Sequence, residues 1–149
     1  MLSPDLITET RIGCGLEITS KKRLLEALAE LLASDHPRLR PETVFDRLLE
    51  RERLGSTGLG HGIALPHARL QEVTEVQGAF VRTAHGVDYD ATDGEPVNLA
   101  FALLVPEAAN DEHLRLLAHL ASLFSDPAIR EQLREADSPA RLLQVLNTR

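Results

Sequence analysis

Cysteine and aromatic residues are scarce in this sequence. Cys14 is the only cysteine among 149 residues, tryptophan is absent, and aromatic residues make up 3% of the chain. A lone cysteine excludes an intrachain disulfide and a thiolate metal cluster. We expect Cys14 to be a small packing residue near the first strand, with a redox role left open. So few aromatic rings disfavour single-strand nucleic-acid binding, in which bases stack on such rings.

Basic charge is also in short supply. The chain has 16 Lys and Arg residues against 23 Asp and Glu residues, which gives a formal net charge of −7. Binding to nucleic acid or to an anionic membrane surface requires clustered cations. The longest basic run is Lys21-Lys22-Arg23. We therefore expect no nucleic-acid partner.

Long apolar runs are missing as well. The longest, Leu99 to Val105, is far shorter than the ~20 residues that a membrane-spanning helix needs. Residues 1–6 contain no basic stretch followed by an apolar core, so no signal peptide is predicted. We expect a cytoplasmic protein with no direct membrane insertion. With 43% hydrophobic and 26% charged residues, residues 1–149 are typical of a single globular domain.

Several helices begin at recognisable capping signals. Ser20 is predicted to cap a helix that ends before Pro37, and Pro41 begins a second helix that breaks at Gly55. Asn110 is predicted to cap a third helix. The apolar residues predicted to lie inside that helix are Leu114, Leu117, Leu120, Ala121 and Phe124. Two more starts are the pairs Asp126-Pro127 and Ser138-Pro139.

Strand-like segments lie in the middle of the chain. A short apolar run after Gly62 predicts a strand ended by Pro66, and Ala79–Val81 predicts another. The apolar run from Val97 to Val105 is typical of a strand buried on both faces between helices. Helices thus precede and follow a group of strands, which predicts an α/β sandwich with helices on both faces of the sheet.

The least ordinary segment is Gly55–Gly62, with four glycines in eight residues. It is not a P-loop, because Gly60 is followed by His61-Gly62 rather than by Lys and Ser or Thr. The loop can still hold a phosphate, since its amides and the hydroxyls of Ser56 and Thr57 are donors and Arg51 lies one turn earlier. The alternative is a tight turn between a helix and a strand.

Two of the six histidines stand out. His67 follows Pro66 at a strand end, where α/β sheets place ligands, although a lone histidine there is more often structural. His113 falls in the first turn of the third helix, on the buried stripe and near the positive end of the helix dipole; the alternative is a ring that caps its own helix. No two histidines have the i,i+3 or i,i+4 spacing of a helical metal site, so no metal is expected.

The run from Arg51 to His67, RERLGSTGLGHGIALPH, closely resembles the active-site signature of enzyme IIA in the bacterial phosphotransferase system. The family is the fructose, mannitol and nitrogen-regulatory one. Agreement continues through Phe101–Pro106 and Glu112–Leu114, and the resemblance extends from about Leu6 to Leu146. The sequence of residues Leu54–Gly58, LGSTG, is most similar to that of the nitrogen-regulatory branch.

The resemblance implies a three-layer α/β/α sandwich with a central mixed sheet. It also implies that His67 accepts a phosphoryl group from a histidine phosphocarrier protein, without metal or other cofactor. His113, by donating an N–H, and Arg51, as a fixed cation, are expected to stabilise that group. Ser56, Thr57 and Gly58 are predicted to complete the phosphate cradle. Because the donor and any acceptor must dock over one shallow site, we expect an exposed apolar rim around His67. The candidates for that rim are Leu59, Ile63 and Leu70.

Three hypotheses follow for the function. The first is a regulatory phosphocarrier of the nitrogen-related branch, whose phosphorylation state alters its binding to target proteins. The second is a sugar-transport component that passes phosphate to a IIB domain. The third is an anion-binding or interaction module that transfers nothing.

Overall fold

The structure, a computed structural model, describes residues 5–108 and 111–147. A short 3-10 turn at Glu9–Arg11 precedes the first strand. The strands are β1 (Ile12–Leu16), β2 (Gly58–Gly60), β3 (Ile63–Ala64), β4 (His67–Leu70), β5 (Gln77–Val87) and β6 (Val97–Pro106). The helices are α1 (Lys21–Ala33), α2 (Pro41–Leu54), α3 (Asp111–Phe124), α4 (Pro127–Glu135) and α5 (Pro139–Leu146).

The six strands form one mixed sheet. Its order is β1-β5-β6-β3-β2, and β4 also pairs with β6. β5 runs antiparallel to β6, whereas β3 and β4 both run parallel to it. The two short strands therefore follow one another along the same edge of β6. β6 therefore has hydrogen-bonded neighbours on both of its edges. Its continuous apolar sequence reflects the burial of both of its faces.

Two apolar cores lie on opposite faces of the sheet. Side chains alternate along β6, so that Ala100, Ala102 and Leu104 join the core that contains α1 and α2. Leu99, Phe101 and Leu103 join the core that contains α3, α4 and α5. The predicted three-layer α/β/α sandwich with helices on both faces is confirmed.

The predicted helix starts agree closely with the structure. Ser20 Oγ accepts a hydrogen bond from the amide of Arg23 over 3.1 Å, and Ser138 and Asp126 cap α5 and α4 in the same manner. The predicted cap Asn110 lies outside the described residues. The prediction that Leu114 lies inside α3 is wrong, because its side chain is 57% exposed.

The segment around Pro66 differs from the prediction. Instead of one strand ended by proline, the chain forms β3, breaks at Leu65-Pro66, and pairs again as β4, which begins at His67. The Pro66 carbonyl accepts the amide of Leu103 over 2.9 Å and keeps the chain against β6 through the break. Part of the predicted loop is the strand β2, which pairs with β3. Proline and glycine signal a break in pairing, but they do not reveal that pairing resumes one residue later.

Within residues 5–108 and 111–147, every helix is too short or too polar to cross a lipid bilayer.

Candidate functional site

His67 is the first residue of β4, and its side chain lies on the face of that strand opposite the α1–α2 core. Ala68 and Leu70 are buried in that core. Because side chains alternate along a strand, His67 and Arg69 share the other face. Register places His67 opposite Leu103 of β6. The sheet therefore holds the backbone of His67 while its ring remains half-exposed.

One backbone contact fixes the orientation of the His67 ring. Nδ1 lies 2.9 Å from the carbonyl oxygen of Leu65. A carbonyl oxygen only accepts, so Nδ1 carries the proton and donates it, which leaves a lone pair on Nε2. Leu65 is itself held, since its amide donates to the carbonyl of Thr57 over 3.0 Å. The Leu65-Pro66 break thus selects the tautomer in which Nε2 carries the lone pair.

Burial lowers the pKa of His67 below its ordinary value, because burial disfavours the charged imidazolium. The positive charge of Arg51 and the nearby His113 lower this pKa further, while the Leu65 carbonyl and the carboxylate of Glu52 oppose the shift. The net direction is downward. The ring is therefore neutral near pH 7, as a nitrogen nucleophile must be.

A cavity of about 610 Å³ brings together His67, His113 and Arg51, the three residues assigned to the chemistry from the sequence. Three further arginines, Arg47, Arg53 and Arg69, also line it. The acidic lining residue Glu50 is paired with Arg47 over 3.8 Å. Positive charge dominates this cavity despite the net negative charge of the chain. The arrangement is suited to an anion with several oxygens.

Arg51 lies in the last turn of α2, where the chain turns from the helix into the glycine segment. Its Nη1 donates to the carbonyl oxygen of Gly55 over 2.9 Å. A cation at a helix C-terminus is favoured by the helix dipole. The contact uses one of the five guanidinium N–H groups, so others remain to bind an anion in the cavity.

His113 lies in the first turn of α3 and is 8% exposed. Its Nε2 is 3.0 Å from Nη2 of Arg69. A guanidinium group has no acceptor, so Nε2 of His113 accepts this hydrogen bond and the ring proton is on Nδ1. In this arrangement His113 does not offer an Nε2–H to the cavity, in contrast to the N–H donation expected from the sequence.

The sequence did not predict that Arg69 lies beside His113 in the cavity. Arg69 is far from His113 along the chain, with a separation of 44 residues, and sequence spacing alone gives no sign of the contact. One signal was available, because Arg69 is two residues after His67 and must share its face of a strand.

The predicted cradle residues have their donors engaged within the protein. The amide and the hydroxyl of Thr57 both donate to the carboxylate of Glu52. The Ser56 hydroxyl donates to the Tyr89 carbonyl over 3.1 Å, and the Gly58 amide donates to Ser56 Oγ over 3.1 Å. None of Ser56, Thr57 and Gly58 is among the residues that line the cavity. Phosphate binding by these three stays a prediction.

The apolar rim also differs from the expected one. Leu59 is 44% exposed, but Ile63 and Leu70 are only 1% and 2% exposed, so the prediction is wrong for these two. Ile63 lies in β3, between β2 and β6, and Leu70 faces the α1–α2 core. The exposed leucine at the cavity is Leu54, which is 85% exposed and lines it.

The other singled-out groups lie elsewhere. His61, His85 and His119 are exposed. Cys14 is in β1, partly buried against the α3–α5 core, where it was expected. In the described part of the chain, no three or more His, Cys, Asp or Glu side chains are grouped so that they could hold a metal ion.

Residues 5–148 match the family model described as "Phosphoenolpyruvate-dependent sugar phosphotransferase system, EIIA 2". The chain is 46% identical over 142 residues to the nitrogen regulatory protein of Pseudomonas aeruginosa, a match that covers 95% of this chain and 92% of that protein. It is 34% identical over 143 residues to the fructose-specific EIIABC component of Bacillus subtilis, covering 96% of this chain and 22% of that protein.

The fold is similar to that of a solved structure. The crystal structure of the nitrogen regulatory protein IIA-Ntr from Neisseria meningitidis superimposes with a TM-score of 0.88 at 45% sequence identity. The match covers 94% of this chain and 95% of that chain.

Proposed function

Because this chain belongs to the EIIA 2 family of the phosphoenolpyruvate-dependent sugar phosphotransferase system, we propose that it is a phosphocarrier that accepts a phosphoryl group on Nε2 of His67. The donor is a histidine phosphocarrier protein. The observation that carries the proposal is the His67–Leu65 hydrogen bond, which leaves Nε2 unprotonated beside a cationic cavity. The proposal includes a cytoplasmic location, one domain over residues 1–149, and no cofactor.

The transfer exchanges one phosphorus–nitrogen bond for another. The bond to the donor ring breaks and its electron pair stays on the donor nitrogen, while the lone pair of His67 Nε2 forms the new bond. Nδ1 keeps its proton, so the phosphorylated ring is an imidazolium whose N–H points at the Leu65 carbonyl. The reverse sequence passes the group to an acceptor. No proton has to leave His67 in either direction.

Charge stabilisation is the main task left to the surrounding residues, because phosphoryl transfer spreads negative charge over the equatorial oxygens. Arg51 is a fixed cation of the same cavity and is proposed to bind these oxygens. His113 is proposed to assist once its Nε2 is released from Arg69. Contacts from Ser56, Thr57 and Gly58 would first require their present hydrogen bonds to open.

We propose a regulatory role in the nitrogen-related branch, in which phosphorylation changes the affinity for target proteins. The 46% identity to a protein named as a nitrogen regulator favours this reading. Added phosphate contributes about −1.5 to −2 charge beside the arginines, which is enough to alter the choice of partner. The second candidate is transfer to a IIB domain, which the similarity to a fructose-specific EIIABC component favours.

The test is the intact mass of the protein after incubation with phosphoenolpyruvate, enzyme I and the histidine phosphocarrier. Wild type is expected to gain one acid-labile phosphate, and His67→Ala none. His119→Ala is the matched control, since His119 is exposed and does not line the cavity; it should behave as wild type. Full uptake by a folded His67→Ala protein would overturn the proposal. No uptake by wild type would favour an interaction module.

The acceptor decides between the two candidate functions. The phosphorylated protein is mixed with a purified IIB domain, and the loss of phosphate is followed over time. Rapid stoichiometric transfer supports the sugar-transport candidate. Retention of phosphate, together with a target protein that binds one phosphorylation state in preference to the other, supports the regulatory candidate.

A further inference from the structure

Arg69 is a further cation of the cavity, beside the residues of the proposed transfer. Its side chain lies on the same face of β4 as His67 and lines the same cavity. Its Nη2 donates to Nε2 of His113 over 3.0 Å, and its Nη1 reaches the Glu107 carbonyl over 3.4 Å. Both partners are neutral acceptors.

The charge of Arg69 is not compensated by an ion pair. Among the described residues, no Asp or Glu carboxylate lies within ion-pair distance of Arg69, whereas Arg47 in the same cavity is paired with Glu50 over 3.8 Å. A guanidinium group that is held only by a ring nitrogen and a long contact to a carbonyl is easily drawn to an anion, because its hydrogen bonds to ionised oxygens are stronger.

We propose that Arg69 is a phosphoryl-binding residue of this site, and that its hydrogen bond to His113 is the position it occupies before transfer. When the phosphoryl group arrives at His67, the guanidinium leaves Nε2 of His113 and binds two of the phosphoryl oxygens. This inference rests on the proposed function. It adds a second cation to Arg51, on the strand that carries the acceptor itself.

The proposed movement of the Arg69 guanidinium also explains how Nε2 of His113 can be an acceptor before transfer and a donor afterwards. While Arg69 donates to Nε2, that nitrogen has no proton and cannot donate to the phosphoryl group. Once Arg69 has left, the neutral ring exchanges its proton from Nδ1 to Nε2 through solvent, and Nε2 then donates a hydrogen bond to a phosphoryl oxygen. In this structure Nε2 of His113 accepts a hydrogen bond, whereas the amino-acid sequence predicted that His113 donates one. The proposed exchange makes these the states before and after phosphoryl transfer.

The kinetic test compares wild type with Arg69→Lys, which keeps the positive charge, and with Arg69→Gln, which removes it. Phosphoryl uptake is followed as a function of donor concentration. We expect kcat to fall about 100-fold in Arg69→Gln, with KM almost unchanged, because one charged donor to the transition state is lost. Arg69→Lys should lose about 10-fold, since lysine keeps the charge but not the fork geometry.

The matched control is Arg141→Gln. Arg141 is an exposed residue of α5, and among the described residues its guanidinium contacts only Gln144. This variant should leave kcat and KM unchanged. Arg69 is itself exposed, so all three variants are expected to unfold at the temperature of wild type. Wild-type kcat in Arg69→Gln would overturn the inference while leaving phosphorylation of His67 intact. A rise in KM alone would also overturn it, since Arg69 would then be a docking contact.

A second measurement follows His113 directly. In 15N NMR of the unphosphorylated protein, Nε2 of His113 is expected in the unprotonated range, and phosphorylation should move it to the protonated range. A resonance that stays unprotonated after phosphorylation would overturn the proposed exchange of partners. If wild type takes up no phosphate at all, the proposed function and this inference fail together.

Discussion

The carboxylate of Glu52 accepts hydrogen bonds from both the backbone amide and the hydroxyl group of Thr57. Its side chain is 2% exposed and is paired with Lys21 Nζ over 3.1 Å. The Thr57 hydroxyl is also 3.2 Å from that of Tyr89. Since the Thr57 carbonyl holds the amide of Leu65, this buried cluster supports the carbonyl that orients the His67 ring. Helix α2 thus contributes two charged side chains to the site: the cation of Arg51, which lines the cavity, and the buried carboxylate of Glu52.

Replacing Glu52 by glutamine should lower the free energy of unfolding by about 3 kcal/mol, because Lys21 would lose its counter-charge in a largely buried place. Urea unfolding measures the loss. Glu50→Gln is the matched control on the same helix: the Glu50 side chain is 63% exposed, and breaking its pair with Arg47 should cost about 0.5 kcal/mol. Equal losses in the two variants would show that the buried pair contributes no more than a surface one.

The pH dependence of phosphoryl uptake should reflect the lowered pKa of His67. In the proposed function the neutral ring is the nucleophile, so the rate is expected to stay on its plateau down to a pH below the ordinary histidine pKa and to fall only beyond it. Removing a cation that disfavours the imidazolium should raise this pKa. Arg51→Met should therefore move the midpoint to higher pH.

An NMR titration of the His67 ring in the folded and the urea-unfolded protein provides the check. Between the two pKa values the unfolded chain binds more protons, so the stability contributed by neutral His67 is complete above the unfolded pKa and is lost as the pH falls through the folded one. A folded midpoint at or above the unfolded one would contradict the prediction.

The sequence predicted the elements that depend on local chemistry. Hydroxyl and carboxylate caps at Ser20 and Asp126 act within three residues, so the helix starts could be read directly. The apolar run of β6 correctly predicted a strand that is covered on both faces. The sequence also singled out His67, His113 and Arg51 by their positions and by a family resemblance. The structure brings these three residues to one cavity, and their roles stay predictions.

What the sequence did not reveal depends on contacts between distant segments. The Arg69–His113 contact joins residues 44 apart, and the Thr57–Tyr89 contact joins residues 32 apart. Neither has a local signal. The wrong assignment of Ile63 to an exposed rim has the same origin, because only the strand order shows that β3 lies between β2 and β6. Burial of a short strand is a property of its neighbours.

Gly62 should resist substitution more than a glycine in open space. Its φ is +81°, and a Cβ there would lie 2.6 Å from Nη2 of Arg134 and 3.0 Å from Oδ1 of Asn98. Gly62→Ala is expected to cost about 2 kcal/mol from strain and from displacing the Arg134 side chain. Gly94, with φ +72° and nothing within 4 Å, separates the two causes. Gly94→Ala should cost about 1 kcal/mol from its backbone alone. Equal losses on thermal or urea unfolding would show that the crowding around Gly62 is relieved without cost.

Leu54 is expected to contact the docked donor protein, because an 85% exposed leucine at the cavity has no role in the core. Leu54→Ala should raise the KM for the phosphorylated donor about five-fold, close to 1 kcal/mol, with kcat and the unfolding temperature unchanged. Leu59→Ala is the control, since Leu59 is exposed but does not line the cavity. If Leu59→Ala raises KM and Leu54→Ala does not, the docking surface lies over the glycine segment instead.

The composition and the buried cluster together give the protein an optical property. Tyr89 is the only tyrosine, there is no tryptophan, and its ring is fully buried with Lys21 Nζ 4.4 Å from its centre. All tyrosine fluorescence of this chain therefore originates beside Glu52 and Thr57, in the cluster that holds the Leu65 amide. Quenching or release of that emission therefore reports on this one cluster in an unlabelled sample of the protein.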